Sequence, residues 1–222
     1  MGNEDFARFI DYTILKQYVD TSVVSAYCKQ AIEYGFYSVC VNPCYVKFVS
    51  DKLKGTAVKV CTVIGFPLGA NLPEVKAYET KLALRDGADE IDMVINVGAL
   101  KEGNLKLVKD DILGVVKEAK GKVVKVIIET CFLDDNEKVL ICNIAKECGA
   151  SFIKTSTGFG TSGAKVSDVE LIKSVVGDSM GIKASGGIRD ANQVKELIKA
   201  GANRIGTSSI IDFTKIAVKP IS

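Results

Sequence analysis

The chain has 222 residues, of which 47% are hydrophobic, and this is enough for one sizeable core. Its 29 basic and 27 acidic residues nearly cancel to a formal net charge of +2, so no overall field favours nucleic acid or an anionic membrane as a partner. Because the chain contains no histidine, Ser-His and Cys-His nucleophile pairs and the usual zinc and haem ligand sets are excluded, and we expect no metal site.

Short apolar runs alternate with amphipathic stretches along the chain. The runs predict strands at 10–15, 36–41, 58–65, 89–96, 123–130, 151–156, 180–185 and 203–208. The amphipathic stretches predict helices at 74–88, 104–120, 136–150, 166–177 and 190–202. Several of these end in Gly-Ala, where the glycine suits the position after a helix C-terminus. Eight strand–helix units favour a single (β/α)8 TIM barrel domain over residues 1–222 rather than an open doubly wound sheet.

Three polar residues interrupt predicted strands of this barrel: Asp92, Lys154 and Lys183. Their spacings are 154 − 92 = 62 and 183 − 154 = 29 residues, which are close to two strand–helix units and one. The three side chains therefore fall at equivalent places on the fourth, sixth and seventh strands, and alternation along 89–96 turns Asp92 into the barrel. The alternative for each residue alone is an exposed charge at a strand end.

Two neighbouring lysines in a barrel permit amine chemistry. Burial and a second ammonium both disfavour the charged form of a lysine, so Lys183 would help Lys154 to react as a neutral amine. A neutral amine attacks a carbonyl group and forms a Schiff base. Asp92 would then work with Lys183 and a bound water to move protons through the later steps.

The last two strands are followed by glycine- and serine-rich segments, 185-SGGIRD-190 and 206-GTSSII-211. Glycine lets backbone N–H groups approach an anion, and a short helix predicted to start near Ser208 would point its N-terminus at the site. Phosphate binds at this place in many barrels. The alternative is a tight turn with Ser208 as an N-cap, and for Arg189 a surface role at a helix start is the favoured interpretation.

A further glycine pattern, G-x-G-x-x-G at Gly158, Gly160 and Gly163, invites a dinucleotide-binding interpretation. That motif requires an acidic residue at the end of the next strand, whereas Lys183 lies in that strand. It also fails as a P-loop, because Ala164 follows Gly163 directly. We therefore reject both nucleotide interpretations.

Taken together, these segments resemble the deoxyribose-phosphate aldolases, a family of class I aldolases. The resemblance runs in family order over nearly the whole chain. The segments that carry it are 10-IDYTILK-16, 38-SVCVNP-43, 64-IGFPLGANL-72, 87-GADEIDMVINVGAL-100, 125-KVIIET-130, 149-GASFIKTSTGF-159, 181-GIKASGGIR-189 and 204-RIGTSS-209.

The resemblance implies reversible cleavage of 2-deoxy-D-ribose 5-phosphate to D-glyceraldehyde 3-phosphate and acetaldehyde, without metal or organic cofactor. It assigns the Schiff base to Lys154, the perturbing ammonium to Lys183 and the proton relay to Asp92. It also implies substrate-binding positions, of which core packing is the favoured interpretation for Cys40. These positions are Asp11, Cys40, Thr157, Gly158, Gly186, Gly187, Ser208 and Ser209.

The chain departs from many relatives at Tyr12, where they have histidine, and in the segment 159–165. Two other functions stay open. One is a different Schiff-base aldolase of phosphosugars, and the other is a non-catalytic phosphosugar-binding barrel.

The expected cellular setting is the cytoplasm. The seven cysteines are scattered without a C-x-x-C pair, which suits reducing conditions, and 1-MGNEDFARFI-10 has acidic residues where a signal peptide would be basic. We expect a small phosphosugar substrate and a homo-oligomer, dimer or tetramer, with neither nucleic acid nor membrane as a partner.

Overall fold

A computed structural model of the chain describes residues 6–209. Eight parallel strands close into one barrel, in which neighbours in the chain are neighbours in the sheet and the last strand pairs with the first. The strands are β1 (Ile10–Ile14), β2 (Ser38–Val41), β3 (Lys59–Ile64), β4 (Glu90–Val94), β5 (Val123–Ile127), β6 (Phe152–Lys154), β7 (Gly181–Ser185) and β8 (Arg204–Thr207).

Helices connect the strands on the outside of the barrel. The α-helices between β1 and β8 are α1 (Thr21–Tyr34), α2 (Val46–Leu53), α3 (Pro73–Arg85), α4 (Val97–Lys101), α5 (Leu105–Glu118), α6 (Asp135–Glu147), α7 (Val166–Val176) and α8 (Ala191–Lys199). Short 3-10 helices lie at Pro43–Tyr45 and Thr130–Phe132. No helix within residues 6–209 has the length and apolar character needed to span a membrane.

The main apolar core lies between the barrel and its helices. On β4, Ile91 and Met93 are fully buried and pack in one cluster with helix residues such as Val108 and Ile112 of α5. Full burial of a side chain of this size contributes about 1.5–3 kcal/mol, so this layer holds the helices on the barrel. Among the alternate β4 residues, Glu90 and Asp92 are polar and are left for the barrel interior.

The closed barrel confirms the predicted fold, and each predicted strand is present with ends up to three residues shorter. The predicted helices correspond to α3, α5, α6, α7 and α8. The Gly-Ala ends also behave as expected, because Gly87, Gly149 and Gly201 have positive φ just after the helices. The helix predicted to start near Ser208 would lie mainly in residues 210–222, outside the described residues.

Sequence analysis does not identify α1, although its ends carry clear signals. The Asp20 carboxylate accepts hydrogen bonds from the amides of Ser22 and Val23, and Gly35 ends the helix with φ +67°. These are the expected N-cap and C-terminal glycine signals, so helix α1 could have been predicted.

Candidate active site

The carboxylate of Asp92 lies at the centre of the barrel interior. Its Oδ2 atom accepts hydrogen bonds from Nζ of Lys154 and from Nζ of Lys183, each at 2.7 Å. Its Oδ1 atom accepts a hydrogen bond from Nζ of Lys125, also at 2.7 Å, and one from Sγ of Cys61 at 3.2 Å. The three predicted residues therefore meet around one carboxylate.

Strand register explains this meeting. Lys154 and Lys183 are direct Cα partners on β6 and β7, and Asp92 is the Cα partner of Lys125 on β4 and β5. Lys154 is the last residue of its strand, whereas Asp92 and Lys183 are the third residues of five. Lys154 thus ends its strand, whereas Asp92 and Lys183 lie within theirs.

A second carboxylate, that of Asp11 on β1, also forms an ion pair with Lys183. Its Oδ2 atom lies 2.6 Å from Lys183 Nζ, and its Oδ1 atom accepts hydrogen bonds from Ser38 Oγ at 2.6 Å and Arg204 Nη1 at 2.9 Å. Asp11 was predicted to bind substrate. In this structure it is fully buried and its partners are protein side chains.

Glu90 completes the ion-pair network below Asp92. Its Oε2 atom lies 2.6 Å from Lys125 Nζ and 3.1 Å from Arg204 Nη1. The Arg204 guanidinium also stacks on Tyr37, with 3.4 Å from Cζ to the ring centroid. These contacts leave the lower part of the barrel filled by paired charges rather than by apolar side chains.

The ion pairs of this network shift the pKa values of its members. Burial raises the pKa of a carboxyl group, but at Asp92 the surrounding lysines outweigh burial and hold its pKa well below the ordinary value. Burial likewise opposes the charge of Lys183, yet Asp11 and Asp92 raise its pKa above that of a free lysine. Lys183 is therefore a permanent cation beside Lys154 at neutral pH.

A cavity of about 440 Å³ opens above this network at the carboxyl ends of the strands. Lys154 lies in its lining with 2% exposure, while Asp92 and Lys183 are fully buried behind it. The lining consists of Thr13, Ile14, Leu15, Lys16, Lys154, Thr157, Gly158, Phe159, Ser185, Gly186, Gly187, Ile188, Arg189, Gly206, Thr207 and Ser208. Of the lysines in the network, Lys154 is thus the one that a molecule in the cavity can reach.

Most of the predicted anion-binding residues line this cavity. Gly158, Gly186, Gly187 and Ser208 are among them, together with Arg189. Ser209 is outside the lining, and its amide donates a hydrogen bond to Thr207 Oγ1 at 3.1 Å. A single cavity thus combines the Lys154 amine with a glycine-rich wall whose N–H groups are suited to an anion.

Cys40 and Thr157, which were also predicted to bind substrate, contact other protein groups in this structure. Cys40 is fully buried and packs in a small apolar cluster with Leu15, Cys61 and Val63, which agrees with the core interpretation. Thr157 lines the cavity, but its amide and hydroxyl both donate hydrogen bonds to the carboxylate of Glu129.

The glycines of the rejected dinucleotide pattern allow close packing. A Cβ atom at Gly163 would lie 2.1 Å from the carbonyl oxygen of Gly186, and one at Gly160 would lie 2.7 Å from Cys131 Sγ. Gly158 has φ +86°, a conformation that favours glycine. The pattern therefore reflects contact between the loops after β5, β6 and β7.

Two groups of thiols and carboxylates have ligand atoms close enough to hold a cation. They are Cys40 with Cys61 and Asp92, and Asp11 with Cys61 and Glu90. All three carboxylates already form ion pairs with lysine or arginine. A metal ion would have to displace a cationic side chain from either group.

Sequence analysis missed four members of this network: Cys61, Glu90, Lys125 and Arg204. A signal for Lys125 exists, because a lysine inside the apolar run 123-VVKVII-128 is as unusual as Lys154. Arg204 gives a weaker signal, since it begins its strand and a strand end is an ordinary place for a surface arginine.

Comparisons with known proteins agree with this geometry. The model of the DeoC/LacD family aldolases matches residues 7–210. Deoxyribose-phosphate aldolase of Clostridium tetani is 59% identical over 212 residues, covering 95% of this chain and 98% of the relative. The deoxyribose-phosphate aldolase of Thermococcus kodakarensis is 59% identical over 213 residues, covering 94% of this chain and 95% of the relative.

A solved structure gives the same result at the level of the backbone. The crystal structure described as the "unique tetrameric structure of deoxyribose phosphate aldolase" from Aeropyrum pernix superposes with a TM-score of 0.87 at 38% identity, covering 93% of this chain and 88% of that one. Because the family model matches nearly the whole chain and a curated relative is 59% identical to it, the chain belongs to the DeoC/LacD family of aldolases.

Proposed function

We propose that this chain cleaves 2-deoxy-D-ribose 5-phosphate reversibly to D-glyceraldehyde 3-phosphate and acetaldehyde, through a Schiff base on Lys154. The observation that carries the proposal is the position of the Lys154 amine, in the cavity lining and 2.7 Å from the carboxylate that Lys183 also binds. The names of the similar proteins give the substrate.

Charge balance in the interior supports a reactive amine. The connected network contains the cations Lys125, Lys154, Lys183 and Arg204 and the carboxylates Asp11, Glu90 and Asp92, so its formal charge is 4 − 3 = +1. A buried network is least costly when its charges cancel. Lys154 is the member of the network in the cavity lining, and its neutral form would supply the lone pair that attacks a carbonyl group.

The chemistry then proceeds by proton transfers near Asp92. The Lys154 nitrogen attacks C1 of the open-chain sugar, and loss of water gives the iminium ion. Removal of the proton from the C3 hydroxyl breaks the C2–C3 bond, and the electron pair moves into the iminium to form an enamine while glyceraldehyde 3-phosphate leaves. Protonation of the enamine at C2 and hydrolysis release acetaldehyde and restore the amine. We assign these proton transfers to Asp92, working with Lys183 and a water molecule.

The phosphate group is assigned to the glycine-rich wall. Backbone N–H groups around Gly158, Gly186 and Gly187, the Ser208 hydroxyl and the Arg189 cation in the lining are suited to it. The assignment of Ser209 stays a prediction, and so does direct contact of substrate with Asp11, Cys40 and Thr157.

Trapping of the Schiff base tests this proposal. Borohydride reduction in the presence of acetaldehyde or deoxyribose 5-phosphate should leave an adduct on the peptide that contains Lys154, and mass spectrometry should find none in Lys154→Ala. Lys138→Ala is the matched control, because Lys138 also pairs with a carboxylate, Asp168 at 2.8 Å, but in the helix layer. Absence of an adduct in a folded protein that binds the phosphosugar would favour a non-catalytic binding barrel.

A donor comparison tests the substrate class. Acetaldehyde should be trapped in preference to pyruvate or dihydroxyacetone phosphate. A preference for either of the latter would indicate a different Schiff-base aldolase.

We also propose that residues 1–222 form one domain, which acts in the cytoplasm as a homo-oligomer, dimer or tetramer. The tetramer named for the Aeropyrum pernix protein supports self-association. All seven cysteines are free thiols, which supports a reducing compartment.

A further inference from the structure

Glu129, two residues beyond the end of β5, has an unusual backbone. Its φ is +52°, and within residues 6–209 Lys120 is the other non-glycine residue with positive φ. Lys120 is exposed, whereas Glu129 is 4% exposed. A non-glycine residue in the left-handed region costs free energy, and such residues are concentrated where the surrounding structure uses them.

The buried carboxylate of Glu129 binds the loop after β6. Its Oε1 atom accepts a hydrogen bond from the amide of Thr157 at 3.1 Å, and its Oε2 atom accepts one from the Thr157 hydroxyl. The same hydroxyl accepts a hydrogen bond from the amide of Phe159 at 3.0 Å. Beside it, the amide of Thr130 donates to the carbonyl of Thr155 at 2.9 Å. The loop 155–159 is therefore bound to the segment after β5 at Thr155 and at Thr157.

This loop in turn packs against the glycine-rich loop after β7. A Cβ atom at Gly186 would lie 3.0 Å from Cα of Gly163 and 3.5 Å from Cα of Gly158, so the two backbones are in contact. The amide of Ala164 donates to the carbonyls of Ser185 and Gly186, at 3.0 and 3.1 Å. A displacement of Thr157 would thus move the wall formed by Gly158 and Gly186.

We propose that Glu129 is a positioning residue for the anion-binding wall of the cavity. It does not line the cavity, and it acts through Thr157 on the loops that do. Its carboxyl group lies below the loop, where both oxygens accept hydrogen bonds from Thr157. The inference rests on the proposed function only in taking the anion to be the phosphate of the substrate.

Two variants and one control test the inference. Glu129→Gly removes the carboxylate at a φ that glycine adopts readily, and Glu129→Gln keeps the size and one acceptor for the Thr157 amide. Lys120→Gly is the control, since it makes the same replacement at φ +50° in the exposed turn before β5, at the opposite end of the strands. The readouts are KM and kcat for deoxyribose 5-phosphate, the affinity for inorganic phosphate, and acetaldehyde trapping on Lys154.

The expected pattern is selective. Glu129→Gly should raise KM and weaken phosphate binding about tenfold, the size expected when a hydrogen bond to a charged group no longer holds the loop. Acetaldehyde trapping should stay as in the wild type, because it needs no phosphate contact. Glu129→Gln should restore part of the affinity, and Lys120→Gly should change neither constant.

Other outcomes have distinct meanings. Unchanged KM and phosphate affinity in both Glu129 variants, with or without a fall in kcat, would overturn the inference, because the anion-binding wall would then not depend on Glu129. If Glu129→Gly does not fold, the affinities of Glu129→Gln decide in the same way. A wild-type protein that binds phosphate without cleaving the sugar would defeat the proposed function, while phosphate affinity would still test the role of Glu129.

Discussion

Lys154 and Lys183 are direct partners across the β6–β7 ladder, and their amines bind the same oxygen of Asp92 at 2.7 Å each. A carboxylate shared in this way keeps two amines close together without leaving either unpaired. In the proposed mechanism it also carries the protons of the Schiff-base steps. Replacement of this carboxylate should therefore impair catalysis, and it should also destabilise the protein, because buried lysines lose a counterion.

Asp92→Asn should lower kcat by about 10²–10⁴-fold, the range typical of a lost general acid–base group. Asp111→Asn is the matched control. Asp111 is a buried carboxylate 2.5 Å from Lys76, between α3 and α5, so its loss should reduce stability and leave kcat within a few-fold. Cleavage rates and urea unfolding of both variants make the comparison. Equal losses of kcat in the two would contradict the assigned role of Asp92.

The acid stability of the barrel should depend on Asp11. Its pKa is lowered, because Lys183, Lys125 and Arg204 outweigh burial, so the unfolded state binds a proton more readily than the folded state. The stabilisation is therefore present above pH ~4, the ordinary value for aspartate, and is lost as the pH falls below it.

Urea unfolding at several pH values measures this effect. Asp11→Asn should cost about 3–5 kcal/mol at pH 7, as expected for one broken partner of a buried pair, and the difference from wild type should shrink below pH ~4. Asp51→Asn, in an exposed pair with Lys47, should cost less than about 1 kcal/mol. A difference that grows toward low pH would have the wrong sign for a lowered pKa.

A side chain at position 186 should displace the glycine-rich wall of the cavity. Gly186→Ala meets both a φ of +89° and a backbone atom at 3.0 Å, so the loop must move. We expect a rise of about tenfold or more in KM for the phosphosugar, because small displacements at a binding site are costly. Gly121→Ala, with φ +84° and open space around it, should lose stability alone. If Gly121→Ala raised KM as much, backbone strain and not the contact would be responsible.

Cys40 should prove replaceable. It packs with Leu15, Cys61 and Val63, and Cys40→Ala removes one buried sulfur atom, which costs about 1–2 kcal/mol. Activity should stay within a few-fold of wild type. Cys142→Ala, at a buried cysteine of α6, should show a similar loss of stability. A loss of activity of 10²-fold confined to Cys40→Ala would indicate a chemical role.

Most of the barrel and part of the ion-pair network at its centre could be predicted from the sequence. Strands and helices follow from local periodicity, and Asp92, Lys154 and Lys183 stand out because charges in apolar strands are rare. The partners of these residues are set by register around the closed sheet. The contact between Asp11 and Arg204 joins positions 193 apart, and no local pattern indicates it.

The predicted contacts of Asp11, Cys40 and Thr157 with substrate also depend on tertiary structure that no local sequence pattern shows. Their motifs place them near the substrate, whereas the structure shows which of their atoms already have partners. Glu129 was missed because nothing in 123–130 predicts that the strand ends at Ile127 and that two residues later the backbone becomes left-handed.

The interior charges are also divided along the chain. Asp11, Glu90 and Asp92 all lie on β1–β4, and the cations Lys125, Lys154, Lys183 and Arg204 all lie on β5–β8. A half-barrel from either part would enclose charges of one sign, which repel one another without a partner. The carboxylates of β1–β4 therefore serve as counterions for the cations of β5–β8. The attraction that holds Lys154 beside Asp92 also opposes any partly built barrel, so the candidate active site and the closed sheet form together.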